Sequence, residues 1–381
     1  MMALASVNAC RRKVTVNQAP PNSATTGAPT PQQYHTEAGV TLAIPQTKYF
    51  KGSIGSRLGL QMKLTRDGDR VAGNYFYQKV GTKIDLKGTI DKDNNLTLEE
   101  YDTGGKQSGL FKGTWTTGED GVANLAGNWS KPNSDKKTAF SLHEQPIEFS
   151  GTVELTAKQI KETNKKINYQ INAEYPQATG SLDTRFDKFN QEAKVVVTKR
   201  VSEFKKQTEA IVIDQAAQPA TEASPESSLT APENTLDIAY DIAIAKDDLI
   251  SVRFDVGSYS AGAAHPNSFS TVLNYDVTNG KVLKLTDLFA PGAKYLPVLS
   301  AYCIKELKAK DTLPDADQIQ RGAGPNPRNY ENWNITKKGL EITFDAYQVG
   351  SYAAGAQKVV VPYSTLKDLI RIDGPLNQFV K

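Results

Sequence analysis

Between residues 58 and 142, apolar and polar positions alternate in short runs at 58–64, 71–77, 83–90, 96–101, 110–115, 122–129 and 139–142. A period of two puts one side of each run against a core and the other toward solvent, as half-buried strands require. Between the runs stand turn signals such as Asp67-Gly68, Asn94-Asn95, Gly104-Gly105 and Pro132-Asn133. Short strands joined by tight turns predict an antiparallel meander over 47–145 that closes as a barrel or folds as a sandwich. In three runs a glycine stands two residues before an aromatic (Gly73 and Tyr75, Gly113 and Trp115, Gly127 and Trp129). That spacing predicts the ring packing over the bare glycine.

Residues 148–161 read as a connector, and alternation over 167–175 predicts a strand stopped by Pro176. From 182 the period changes. Phe186, Phe189, Ala193, Val196, Val197, Val201 and Phe204 recur at three- and four-residue steps, predicting an amphipathic helix capped by Ser181 or Asp183. The low-complexity stretch 215–234 reads as a mobile insertion within the domain. Strands follow at 236–244, 250–256, 271–277 and 281–285, the last two around Thr278-Asn279-Gly280. A helix is expected over 295–308, a Pro/Gly-rich loop over 311–331, strands at 333–335, 340–347 and 358–361, and a short helix over 364–370. The fold class is α+β. An N-terminal all-β antiparallel barrel or sandwich precedes an α+β domain over 147–381, with a mainly antiparallel sheet and two principal helices.

Composition narrows the function classes. Lys and Arg number 45 against 42 Asp and Glu, a balance that gives nucleic acid no electrostatic footing. No stretch approaches the roughly 18 apolar residues of a membrane-spanning helix. Of two cysteines, Cys303 falls on the apolar side of the 295–308 helix and reads as a buried, inert thiol. Cys10 ends a small, apolar run in which Val7-Asn8-Ala9-Cys10 forms an imperfect lipobox, and a Pro/Thr/Gln/Ala-rich segment follows to about 46. Residues 1–10 are therefore expected to be a truncated lipoprotein signal with Cys10 as lipidation site, and 11–46 a disordered tether. The native start would then lie upstream of Met1, and membrane attachment would be through lipid only.

The three histidines, His35, His143 and His265, lack metal-site spacing, and no nucleophile elbow or phosphate-cradling loop is present. Glu99 and Glu100 point to opposite faces of a strand and make a poor acid–base pair. No catalytic residue, metal or cofactor is expected. One repeat stands out: Val256 to Ala263 reads VGSYSAGA and Val349 to Ala356 reads VGSYAAGA. Glycines flanking Ser-Tyr suit strand ends that bend sharply. The octets are expected to end neighbouring strands, with Tyr259 and Tyr352 close together and His265 beside them. Candidate ligand-binding residues are Ser258, Tyr259, Gly262, His265, Asn267, Ser351, Tyr352 and Gly355.

A series of short words runs in order through the second domain. They are Tyr175-Pro176-Gln177, Phe189-Asn190, Gly262-Ala263-Ala264-His265-Pro266-Asn267, Asn274-Tyr275-Asp276, Thr278-Asn279-Gly280-Lys281, Thr286-Asp287-Leu288-Phe289, Tyr347-Gln348-Val349-Gly350, Tyr352-Ala353-Ala354-Gly355 and Val361-Pro362-Tyr363. Over about 165–370 the chain thereby resembles the extracytoplasmic domain shared by bacterial anti-sigma factors of the RsiV type and the peptidoglycan deacetylase PdaC. The family usually reads Gly-Gly-Ala-His where this chain has Gly262-Ala263-Ala264-His265. The resemblance implies a non-catalytic, envelope-facing module, which in RsiV-like proteins senses lysozyme and in PdaC-like proteins accompanies a separate catalytic domain. Neither the deacetylase domain nor the sigma-binding segment has a counterpart in these residues.

The expected function is non-catalytic binding or sensing in the bacterial cell envelope (periplasm or outer face). The expected partner is a wall-associated protein, such as a lysozyme-like muramidase, or the glycan of peptidoglycan. Two other classes stay open: a wall-glycan-modifying enzyme using His265 with Asp255 or Asp276, and a structural envelope scaffold. The lipidation reading has a direct consequence. Cys10→Ser should move the protein, expressed from its upstream start, from the detergent phase to the aqueous phase, and unchanged partitioning would defeat it.

Overall fold

The computed structural model describes residues 45–380 apart from 57, 78–82, 119–121 and 218–232; Cys10, most of the expected tether and most of the expected insertion lie outside the described residues. Eight strands form a closed antiparallel barrel in chain order. They are β1 (Gln46–Ile54), β2 (Leu58–Asp67), β3 (Arg70–Tyr77), β4 (Ile84–Ile90), β5 (Asn95–Tyr101), β6 (Gln107–Thr117), β7 (Ala123–Ser130) and β8 (Lys137–Gln145). Seven match the runs of alternation. The eighth, β1, closes the barrel by pairing with both β2 and β8. Only Phe50 and Ile54 of its nine residues are buried, so its sequence carries no alternation to read.

The barrel interior is a packed core in which Tyr75, Phe111 and Phe140 meet edge to face at centroid separations of 5.6 and 5.2 Å. The glycines have a different reason from the one their spacing suggests. A Cβ on Gly73 would fall on the Lys63 carbonyl of the adjacent strand, and Gly113 faces Gly127 directly across β6 and β7. The missing side chains admit close strand approach, not aromatic rings. Glu100 turns inward and is 5% exposed. Its side chain accepts hydrogen bonds from the Tyr75 hydroxyl (2.7 Å), the Trp129 indole N–H (2.8 Å) and the Ser108 hydroxyl (2.7 Å).

The second half is α+β, as expected, with two sheets instead of one. The large sheet runs β10 (Glu154–Asn164), β11 (Tyr169–Thr179), β12 (Asn234–Lys246), β13 (Leu249–Tyr259), β14 (Asn267–Asp276) and β15 (Lys281–Val282), with β9 (Ile147–Glu148) pairing on β12. The small sheet is β16 (Trp333–Ile335), β17 (Gly339–Phe344) and β18 (Gln357–Pro362). The expected connector is largely strand β10. Strand β11 passes through Pro176, because its ladder to β12 ends at Ala173 and leaves that N–H side unpaired.

Helix α1 (Thr184–Ala217) is capped by Asp183, whose carboxylate accepts the Arg185 N–H at 2.9 Å. The helix runs into the segment read as an insertion, and β12 begins at its last residue. Helix α2 (Tyr295–Lys308) falls where it was read. The loop expected over 311–331 contains α3 (Ala316–Gly322), capped by Asp315, and a 3-10 turn at Pro327–Tyr330. The last helix, α4, spans only Tyr363–Leu366.

Two cores result. Phe186, Phe189, Ala193 and Val197 of α1 pack on Ile238, Ile250, Val252 and Phe254. On the opposite side, Leu299, Cys303 and Leu307 of α2 pack with Ile342, Phe344 and Val361 of the small sheet. A bulge between Ile242 and Ile244 turns Ile244 from the first core into the second. Burial pushes the Cys303 thiol up to about 12, in keeping with an inert thiol.

From Pro45 onward the chain forms one compact unit. Gln61 of the barrel donates to the Tyr240 hydroxyl at 2.7 Å, Lys51 meets Asp241 at 3.2 Å, and Lys63 pairs with Glu154. Desolvation depresses the pKa of His143 at this junction. Among the described residues, no helix is long and apolar enough to cross a membrane.

Glu100 supplies a stability test. Replacing it with Leu leaves the Trp129 N–H without its acceptor and the Tyr75 hydroxyl with only Tyr77 at 3.1 Å, a loss of about 1–3 kcal/mol. Gln keeps an oxygen toward both donors and turns its NH2 toward Ser108, which can accept. Denaturant unfolding should therefore rank Glu100→Leu well below Glu100→Gln, and equal losses would show that the bonds contribute little.

Candidate functional site

The two octets adopt different structures. In the first, Val256 to Tyr259 complete β13, paired residue by residue with β12 and, as far as Ser258, with β14. The chain then turns at Gly262, whose φ is +87°. Asn234 fixes that turn by accepting the Ala261 N–H at 2.8 Å. The second octet does not end a strand. Strand β17 stops at Phe344, and 345–356 form a loop with a 3-10 turn at Tyr352–Ala354 and Gly355 at φ +65°.

Side chains outside the octet hold this loop. Asp345 accepts the Ser270 N–H and the Asn332 amide, each at 2.9 Å, tying the loop to β14. Burial raises the Asp345 pKa above the ordinary carboxylate range, opposed by those hydrogen bonds. Gln318 of α3 donates to the carbonyls of Tyr347 (2.8 Å) and Gly350 (3.0 Å), while Gln348 donates to those of Gly322 and Asn329.

The result is an aromatic cluster at one end of the sheets. The His265 and Tyr352 rings lie 4.3 Å apart, and Tyr347 stands 5.6 Å from Tyr352. Tyr352 donates its hydroxyl to the Pro266 carbonyl at 2.9 Å. His265 Nδ1 lies 2.9 Å from the same carbonyl, and its Nε2 is 3.4 Å from the Tyr347 hydroxyl. Since a carbonyl only accepts, Nδ1 carries a proton, and in the neutral ring Nε2 accepts from Tyr347. Tyr347 is 57% exposed with φ +70°, a conformation unusual for a bulky residue.

Of the residues singled out from the sequence, His265 and Tyr352 come together. Tyr259 lies opposite Thr235 in the β12–β13 ladder and is not one of the clustered rings. Ser258 and Asn267 pair across β13 and β14 and line a pocket against α1. Ser351 precedes the 3-10 turn, and Gly262 and Gly355 occupy positive-φ bends. Tyr347 was not singled out, although it stands in the word Tyr347-Gln348-Val349-Gly350. The carboxylates considered as partners for His265 are engaged elsewhere: Asp255 binds Arg253 at 3.0 Å, and Asp276 accepts the Asn279 N–H at 2.8 Å. The cluster therefore offers flat apolar faces and hydroxyls, with neutral groups at both imidazole nitrogens.

Residues 286–364 match the family described as Protein of unknown function (DUF3298). The chain is 26% identical over 251 residues to the peptidoglycan-N-acetylmuramic acid deacetylase PdaC of Bacillus subtilis, covering 66% of this chain and 48% of that protein. It is 28% identical over 111 residues to the immunogenic protein MPT64 of Mycobacterium tuberculosis, covering 29% of this chain and 48% of that one. The chain thus spans about half the length of the curated relatives it matches. A crystal structure of a DUF3298 family member from Bacteroides fragilis aligns with a TM-score of 0.47 at 19% identity, covering 61% of this chain and 98% of that one. One from Pseudomonas aeruginosa aligns at 0.38 and 18%, covering 57% and 94%. The resemblance to the PdaC-type extracytoplasmic domain read from the sequence is upheld by the family match and by PdaC itself.

Tyr347→Gly tests whether that ring is structural. The substitution removes left-handed strain of about 1 kcal/mol and adds a comparable unfolded-state entropy. Thermal melting should shift by no more than a few degrees, whereas a large fall would mean that the ring packs.

Proposed function

We propose that this chain is a non-catalytic binding or sensing protein of the bacterial cell envelope, held there by a lipid anchor at Cys10. Its α+β half recognises a wall-associated partner, a lysozyme-like protein, through the cluster of His265, Tyr347 and Tyr352. The observation that carries the reading is the exposed Tyr347 ring, presented at φ +70° by a loop tied down through Asp345, Gln318 and Gln348. Tyrosine suits such a surface, because it offers apolar area and a hydroxyl for few rotatable bonds. A cluster that projects a ring outward fits the surface of a protein better than a single sugar ring, which is held in a concavity. The similarity to PdaC supports an extracytoplasmic setting for the domain.

The test is binding of residues 45–381 to a purified lysozyme and to soluble peptidoglycan fragments, with the parent, Tyr347→Gly and Tyr352→Ala. Each substitution should weaken lysozyme binding about tenfold, the size of an interface hot spot. Parent-like binding by both variants, or no lysozyme binding by the parent, would refute the assignment.

A further inference from the structure

On the α1 face of the large sheet, a pocket of about 180 Å³ lies between the helix and the ends of β13 and β14. That is more than ten times the roughly 10–15 Å³ that a single water needs. Arg200, Glu203 and Gln207 reach it from α1, where steps of three and four residues put them on one helix face. Ser258 and Asn267, directly opposite one another in the β13–β14 ladder, reach it from the sheet, with Phe269 beside them. We infer that this pocket is a binding subsite for one ring of a neutral saccharide.

Three features select that chemistry. Arg200 is held in place, since it bonds Glu203 at 3.0 Å and lies over the Phe269 ring at 5.1 Å. Its charge is therefore balanced inside the pocket, which disfavours phosphate and other anions. The amides of Gln207 and Asn267 and the Ser258 hydroxyl make no hydrogen bond to the protein among the described residues. They stand ready as both donors and acceptors. Sugar hydroxyls demand that mixture, because each one donates and accepts, and planar amide, carboxylate and guanidinium groups can engage adjacent hydroxyls in pairs. Phe204, Leu236, Val256 and Phe269 give the pocket an apolar side, which suits the C–H face of a sugar ring while the polar groups take its hydroxyls.

The site is separate from the ring cluster, so it stands or falls without the lysozyme reading. The test is titration of residues 45–381 with the soluble tetramer of β-1,4-linked N-acetylglucosamine, a neutral probe. Binding in the millimolar range is expected for one polar ring. Gln207→Ala and Asn267→Ala should each weaken it about 3- to 10-fold, the loss of a hydrogen bond, and Ser258→Ala should act in the same direction. Tyr347→Gly should leave it unchanged. These exposed or half-buried positions should melt with the parent. The inference is overturned by the absence of binding at about 10 mM sugar, by indifference to all three pocket substitutions, or by loss of binding in Tyr347→Gly.

Discussion

Strand β13 is buried at six successive positions from Leu249 to Phe254, and this double coverage governs the α+β half. Its even-numbered residues face α1. Its odd-numbered residues include Ser251 and Arg253, which must find polar partners in a low-dielectric setting. Ser251 accepts hydrogen bonds from the Asn334 amide (2.9 Å) and the Ile335 N–H (3.1 Å) of the small sheet, and donates to Asn274 at 2.6 Å. Arg253 bonds Asp241, Asp255 and Glu341. A small sheet slid along the large one would take the Asn334 and Ile335 donors from Ser251 and the Glu341 carboxylate from Arg253, and these bonds fix its position.

Everything at the candidate site follows from that placement. The small sheet carries Asp345 just beyond β17, and Asp345 reaches the Ser270 N–H of β14. The same strand is entered through His265 and Pro266, so one bond brings the Tyr347 loop against the imidazole. The repeated octets show how far context overrides local sequence. Val-Gly-Ser-Tyr extends β13 where two ladders are available, and in its second copy forms a loop that leads into a 3-10 turn, with Gln318 holding the Gly350 carbonyl.

The barrel joins this arrangement through polar contacts, with Lys51 and Gln61 reaching β12 and Lys63 reaching the edge strand β10. Its interior is closed by packed rings and by Glu100 with its three donors. The candidate recognition groups instead lie at the ends of β13 and β14. There one face presents rings and the other presents unpaired amides beside a balanced ion pair.

What repeats locally was legible along the chain. Alternation marked seven barrel strands, the three- and four-residue steps marked α1 and α2, and Thr278-Asn279-Gly280 marked the hairpin, because periodicity and turn chemistry act between residues near in sequence. His265 and Tyr352 were legible too, since they sit in distinctive words. Strand β1 was illegible, since only Phe50 and Ile54 face inward and its role is to close a barrel. Strand β10 hid in polar sequence because it pairs with β11 alone, at the sheet edge. Tyr347 stayed unmarked because its prominence comes from a left-handed backbone, imposed by Asp345, Gln318 and Gln348. Which residues meet, and which tyrosine faces outward, was decided by bonds between segments more than 80 residues apart, 82 for Tyr347 and His265 and 86 for Tyr352 and Pro266. No local pattern encodes such distances; only the stacking of one sheet on the other does.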